Sequence, residues 1–102
     1  MDPIPTNDLV AANEFCISQN VELSFIHSLN DSGLIEMVTV EEIKFIPASQ
    51  LPRLEKWVRF HYEMNINLEG IETIAHLLQQ LEDLQEEMTR LANKLHLYET
   101  MK

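Results

Sequence analysis

The chain of 102 residues contains one cysteine, Cys16, and four histidines, His27, His61, His76 and His96. A thiolate activated by an imidazole is a working nucleophile, and cysteine grouped with histidine is a structural zinc set. Neither pattern is present. Cys16 sits between Phe15 and Ile17 in the apolar run FCI, where a thiol reads as a small buried hydrophobe. The histidines are widely spaced with no second cysteine beside them, so each reads as a surface or half-buried ring. Glycine-rich phosphate loops need several glycines, and the chain has only Gly33 and Gly70. The expectation is a protein that is not an enzyme, with no metal, no cofactor and no small-molecule substrate.

The remaining chemistry is charge. Formal net charge is −10, and its placement is uneven. Residues 1–43 carry Asp2, Asp8, Glu14, Glu22, Asp31, Glu36, Glu41 and Glu42 and not one Lys or Arg. Residues 44–65 reverse the sign slightly through Lys44, Arg53, Lys56 and Arg59, and the stretch from 66 onward is acidic again. One carboxylate needs no explanation beyond solubility, but an acid-only front half favours basic partners and repels nucleic acid and anionic membrane. No apolar run approaches the ~20 residues of a membrane span. MDPIPTNDL lacks the basic start and apolar stretch of a signal peptide, and a lone cysteine forms no internal disulfide. A cytoplasmic location is expected.

The elements that must hold these charges follow from periodicity. Residues 1–9, with Pro3 and Pro5, read as a loose leader or an edge segment, and VAANEFCIS predicts a short helix over 12–19. In VELSFIHSLNDSGLIE, residues 21–36, a second helix has Asn20 as its cap and Glu22 in its first turn. Ile26 and Leu29 fall on its inner side, and Gly33 lets it stop before Leu34 and Ile35 return to the core. MVTVEEIKFI, residues 37–46, alternates, with Val38 and Val40 on one arm and Ile43 and Phe45 on the other. It predicts a small hairpin with Glu41 and Glu42 at the tip, although Glu-Glu is a poor tight-turn pair. Ser49 then caps a third helix over about 50–64. Asn65 ends it and Asn67 caps the next.

From Leu68 to Tyr98 the chain is free of proline, and Ile74, Leu77, Leu81, Leu84, Met88, Leu91, Leu95 and Tyr98 recur at alternating spacings of three and four. That is a heptad seam. Such a helix is on the order of 45 Å long, against a radius of gyration of ~13 Å for a compact domain of this size. Its far end must run beyond its own domain. A second copy is therefore the expected cover, making these eight residues a homodimer interface, parallel or antiparallel. The organisation expected is a leader over 1–9, a winged helix-turn-helix domain over 10–73 and a coiled-coil helix over 74–102.

The order of parts is similar to the MerR-like winged helix-turn-helix architecture: mainly α, with a small β-hairpin wing and a long C-terminal coiled-coil helix. The strings ANEFCIS (12–18), GLIE (33–36) and RFHYEMNINLEGIETI (59–74), the last running into LLQQLEDLQEEMTRL, resemble the chaperone-modulator family of the CbpM type over roughly residues 10–95. The resemblance implies a protein that binds the basic J-domain surface of a DnaJ-type co-chaperone and inhibits its stimulation of Hsp70.

An acid-only front half suits that ligand. From charge and helix face, the expected partner-binding residues are Asp31, Glu36, Glu41 and Glu42, with His27 and Phe25 beside them. Leu23 and Phe25 are large apolar residues where polar ones are expected, and they read either as exposed anchors or as core. The competing reading is a MerR-like DNA-binding transcriptional regulator. Lys44, Arg53, Lys56 and Arg59 could touch phosphates, but the helix that should enter the groove carries no cation.

Overall fold

The computed structural model describes residues 8–101. The elements run β1 (Leu9–Ala11), α1 (Ala12–Gln19), α2 (Leu23–Asp31), β2 (Val38–Val40), β3 (Ile43–Pro47), a 3₁₀ turn (Ala48–Gln50), α3 (Leu51–Tyr62) and α4 (Leu68–Thr100). The fold is mainly helical, with helix-turn-helix, hairpin and long C-terminal helix in the order expected. It divides after Glu72 into two compact units.

In the first unit the core is entirely apolar. Ile26 and Leu29 of α2, Ile35 beyond its end, Ile46 of β3, Leu54 of α3 and Ile71 of α4 are fully enclosed. Each such side chain contributes roughly 1.5–3 kcal/mol by leaving water. Trp57 is also buried, and its indole N–H donates to the Leu34 carbonyl at 3.2 Å, which fixes α3 against the chain leaving α2. That exit is a Schellman closure. Gly33, at φ +78°, follows the helix, with its N–H on the Asn30 carbonyl and the Leu34 N–H on the Leu29 carbonyl.

The sheet has three antiparallel strands in the order β1-β3-β2. One of its two edge strands, β1, starts in the stretch read as a leader or an edge segment and runs on through Val10 and Ala11, where no strand is expected. Leu9 pairs with Pro47 and Ala11 with Phe45. The expected leader lies outside the described residues up to residue 7, and Leu9 belongs to the sheet.

Two caps also differ from expectation. Asn20 closes α1 instead of opening α2. Its backbone is left-handed (φ 56°, ψ 51°) and its N–H donates to the Cys16 carbonyl, a conformation asparagine tolerates better than most residues. Glu22, not Asn20, stands at the N-cap of α2, and its N–H donates to the Tyr62 hydroxyl at 3.0 Å. Ser49 lies inside the 3₁₀ turn and Gln50 precedes α3, with no side-chain cap on that helix. The Gln50 side-chain oxygen instead accepts from the Glu36 N–H at 3.2 Å. Asn67 does cap α4, accepting the Gly70 N–H at 2.8 Å.

Candidate functional site

The helix that would read DNA in this architecture is α2. Phe25, Ile26 and Leu29 are its buried side. Leu23, His27 and Asp31, each four residues apart, form a stripe along another flank, passing from half-buried Leu23 and His27 to exposed Asp31. No Lys or Arg lies on the helix.

Beside that stripe stands the wing. β2 and β3 are joined by Glu41 and Glu42 alone, since Val40 pairs directly with Ile43. Both glutamates have positive φ, 51° and 69°, the requirement of a type I′ turn, whose twist matches that of the flanking strands. Glycine fills such turns without strain and asparagine with little, whereas each glutamate here costs on the order of 1–3 kcal/mol. The backbone at the tip is therefore strained, and the two carboxylates project from it.

Between wing and helix lies a cleft of about 290 Å³, lined by Ala11, Leu23, His27, Glu42, Ile43 and Lys44 among others. Of the expected partner-binding residues it brings His27 and Glu42 together. Asp31, Glu36 and Glu41 are exposed outside this lining. Lys44 adds a cation to the lining of the cleft, beside Glu42. Among the described residues, none of Asp31, Glu36, Glu41 and Glu42 has a Lys or Arg within 4.0 Å. Their charge is thus directed to solvent.

Phe25 corrects the reading as an exposed anchor. It is buried, its ring stacked on His61 and met edge-on by Tyr62. What sequence reasoning missed is the outer face of the wing. Residues directly opposite in an antiparallel pair share a face, so the register places Val38, Val40, Ile43 and Phe45 together and Thr39, Lys44 and Ile46 on the other side. Ile46 is fully buried. The Val38 face therefore turns away from the core, leaving Val38 37%, Val40 43% and Ile43 53% exposed. Alternation named the residues sharing a face but carried no sign of whether anything covers it.

Other chemistry is thin. Cys16 is buried, and burial pushes its thiol above the ordinary value, which disfavours the reactive thiolate. Among the described residues no group of three or more His, Cys, Asp or Glu is placed to hold a metal ion, and no helix is long and apolar enough to cross a membrane. On α3 the cations Arg53, Lys56 and Arg59 are exposed, with the Lys56 ammonium 5.5 Å from the Trp57 ring centre.

The second unit is the remainder of α4. Residues 79–101 are all exposed. Leu77, Leu81, Leu84, Met88, Leu91, Leu95 and Tyr98 stand between 50% and 64% open, and Ile74 is half-buried. Arg90 pairs with Glu87 one turn back.

Comparison with known proteins gives one family. Neither the curated proteins nor the solved structures returned a match. The family described as MerR HTH family regulatory protein matches residues 10–93, from β1 through most of α4. With helix-turn-helix, acidic-tipped wing and long terminal helix inside that span, the chain belongs to the MerR helix-turn-helix family of regulatory proteins.

Proposed function

We propose that this chain is a non-enzymatic chaperone modulator that binds the basic J-domain surface of a DnaJ-type co-chaperone and inhibits its stimulation of Hsp70. The observation that carries the reading is the charge on its helix-turn-helix. The front 43 residues hold no Lys or Arg, and Asp31, Glu36, Glu41 and Glu42 are exposed without a cationic partner among the described residues. A DNA reader gains most of its sequence-independent affinity by neutralising phosphates, which this surface opposes. A basic protein surface is attracted by the same field. Isothermal titration with J-domain proteins, coupled to Hsp70 ATPase measured with and without the chain, tests it. Saturable binding that weakens with salt and lowers the stimulated ATPase is expected. Binding indifferent both to salt and to Asp31→Lys with Glu36→Lys would remove the electrostatic mechanism.

The active form in this reading is a homodimer through Ile74, Leu77, Leu81, Leu84, Met88, Leu91, Leu95 and Tyr98. Most of these stand more than half exposed, and covering them would return roughly 1–2 kcal/mol per side chain at about 25 cal/mol per Å². Sedimentation at micromolar concentration should give twice the chain mass, falling to a single chain on Leu84→Glu with Leu91→Glu.

DNA binding is the second reading. The exposed Arg53, Lys56 and Arg59 of α3 and the family match favour it. A gel shift at low salt separates the two: a discrete, sequence-dependent complex supports the regulator and counts against the modulator.

A further inference from the structure

The wing has two sides of different chemistry. The inner side carries Lys44 into the cleft with α2, and Glu42 and Ile43 also line that cleft at its rim. The outer carries Val38, Val40 and Ile43, each more than a third exposed, and ends at Glu41 and Glu42. We infer that this outer face is the apolar half of the partner-binding surface, and that it takes a cationic amphipathic helix. The helix would lay an aliphatic stripe on Val38, Val40 and Ile43 while its Lys or Arg side chains meet Glu41 and Glu42. The inference rests on the modulator reading and names the surface through which that partner is held.

Geometry and charge select this occupant. Val38 and Val40, two residues apart on one strand, are separated by roughly 7 Å, and Ile43 stands about 5 Å across from Val40. Side chains one turn apart on a helix are about 5–6 Å apart, so two successive turns fit the patch. β2 is an edge strand of three residues, too short to offer an added strand more than one or two backbone bonds. A second copy of the chain is disfavoured here, because it would bring two more glutamates against Glu41 and Glu42 with no cation on the face. Nucleic acid is disfavoured by the same carboxylates. Aliphatic contact supplies affinity that salt does not screen, and the glutamates orient the incoming helix.

The test uses the full chain with methyl-labelled valine and isoleucine, read by NMR and by titration. Three probes are added: a DnaJ-type J-domain, a synthetic helix with a leucine stripe and lysines elsewhere, and the same helix with glutamates for lysines. The J-domain and the lysine helix should shift the Val38, Val40 and Ile43 methyls, and the glutamate helix should not. Val40→Ser with Ile43→Ser should weaken J-domain binding about tenfold or more at low and high salt alike. Glu41→Gln with Glu42→Gln should weaken it mainly at low salt. Both pairs are exposed, and unchanged thermal unfolding would show that the variants fold. A J-domain that binds the serine variant as tightly as the parent overturns the wing surface and leaves the modulator reading standing. Wing shifts by the lysine helix with no J-domain binding do the reverse. Silence from both probes overturns both. Intermolecular amide contacts along the β2 edge would replace the helix by an added strand.

Discussion

The ring of Phe25 lies flat on that of His61, centroids 4.3 Å apart and planes 12° from parallel. The pair joins α2 to α3. The His61 Nδ1 stands 2.9 Å from the Ile66 carbonyl, so this nitrogen carries a hydrogen and donates to it, which also fixes the loop leading to α4. Phe25 therefore adds an aromatic contact to the buried Ile26 and Leu29 in holding α2 against the rest of its unit. Phe25→Ala should cost about 3 kcal/mol or more. His61→Ala should cost about 1–2 kcal/mol through the lost stack and hydrogen bond. A double-mutant cycle by urea unfolding should return a coupling near 1 kcal/mol. Additive losses would mean that the two rings touch without supporting each other.

Gly70 sets two opposed effects against each other. It lies in the first turn of α4, where alanine would ordinarily gain up to ~1 kcal/mol of helix propensity. A Cβ there would stand 2.7 Å from the Ile66 branch methyl and 3.1 Å from the capping Asn67 oxygen. The methyl belongs to a stiff β-branched side chain, and such overpacking costs about 1–3 kcal/mol. The overlap should win, lowering the thermal midpoint of Gly70→Ala. Combining it with Ile66→Ala should recover much of the loss. A stabilised Gly70→Ala would show that Ile66 moves aside freely.

Much of the fold was legible because it rests on local pattern. Helical spacing located α1 to α4, Gly33 and Asn67 did what their chemistry suggests, and alternation found β2 and β3. The misreadings share a cause in contacts distant along the chain. Leu9, Val10 and Ala11 have no alternation to betray a strand, and they become one only because β3 offers an edge. Asn20 suits either end of a helix, and the carbonyl of Cys16 decided which. Phe25 lies on a flank that a single helix would leave wet, and residues of α3 cover it. The glutamates of the proposed docking surface can be named from charge alone. Its apolar part cannot, because exposure depends on what the rest of the chain fails to cover.

Cys16 gives a pH signature with a definite sign. Burial raises the thiol above its ordinary value in the folded chain, so the folded state resists ionisation more than the unfolded one. The associated stability is complete below the unfolded thiol's pKa of about 8.5. It is lost as pH rises through the higher folded value. Unfolding midpoints should therefore fall in that alkaline window for the parent and fall less for Cys16→Ala. A disulfide reagent should react slowly with the native thiol and rapidly in denaturant. Rapid native labelling at neutral pH would contradict the enclosure of this side chain.

The wing tip places stability and binding in opposition. Glu41 and Glu42 hold left-handed backbone that glycine or asparagine would adopt with less strain. Glu41→Asn with Glu42→Gly should therefore raise stability by about 1 kcal/mol or more, read as a higher urea midpoint with unchanged slope. The same exchange removes two carboxylates from the proposed docking surface and should weaken J-domain capture at low salt. Glu42→Gly alone separates the contributions, since it relieves strain while Glu41 remains. Sequences that break a local rule do so most often where function requires it. A tip that becomes more stable and still binds as tightly as before would leave its strained glutamates without a role in recognition.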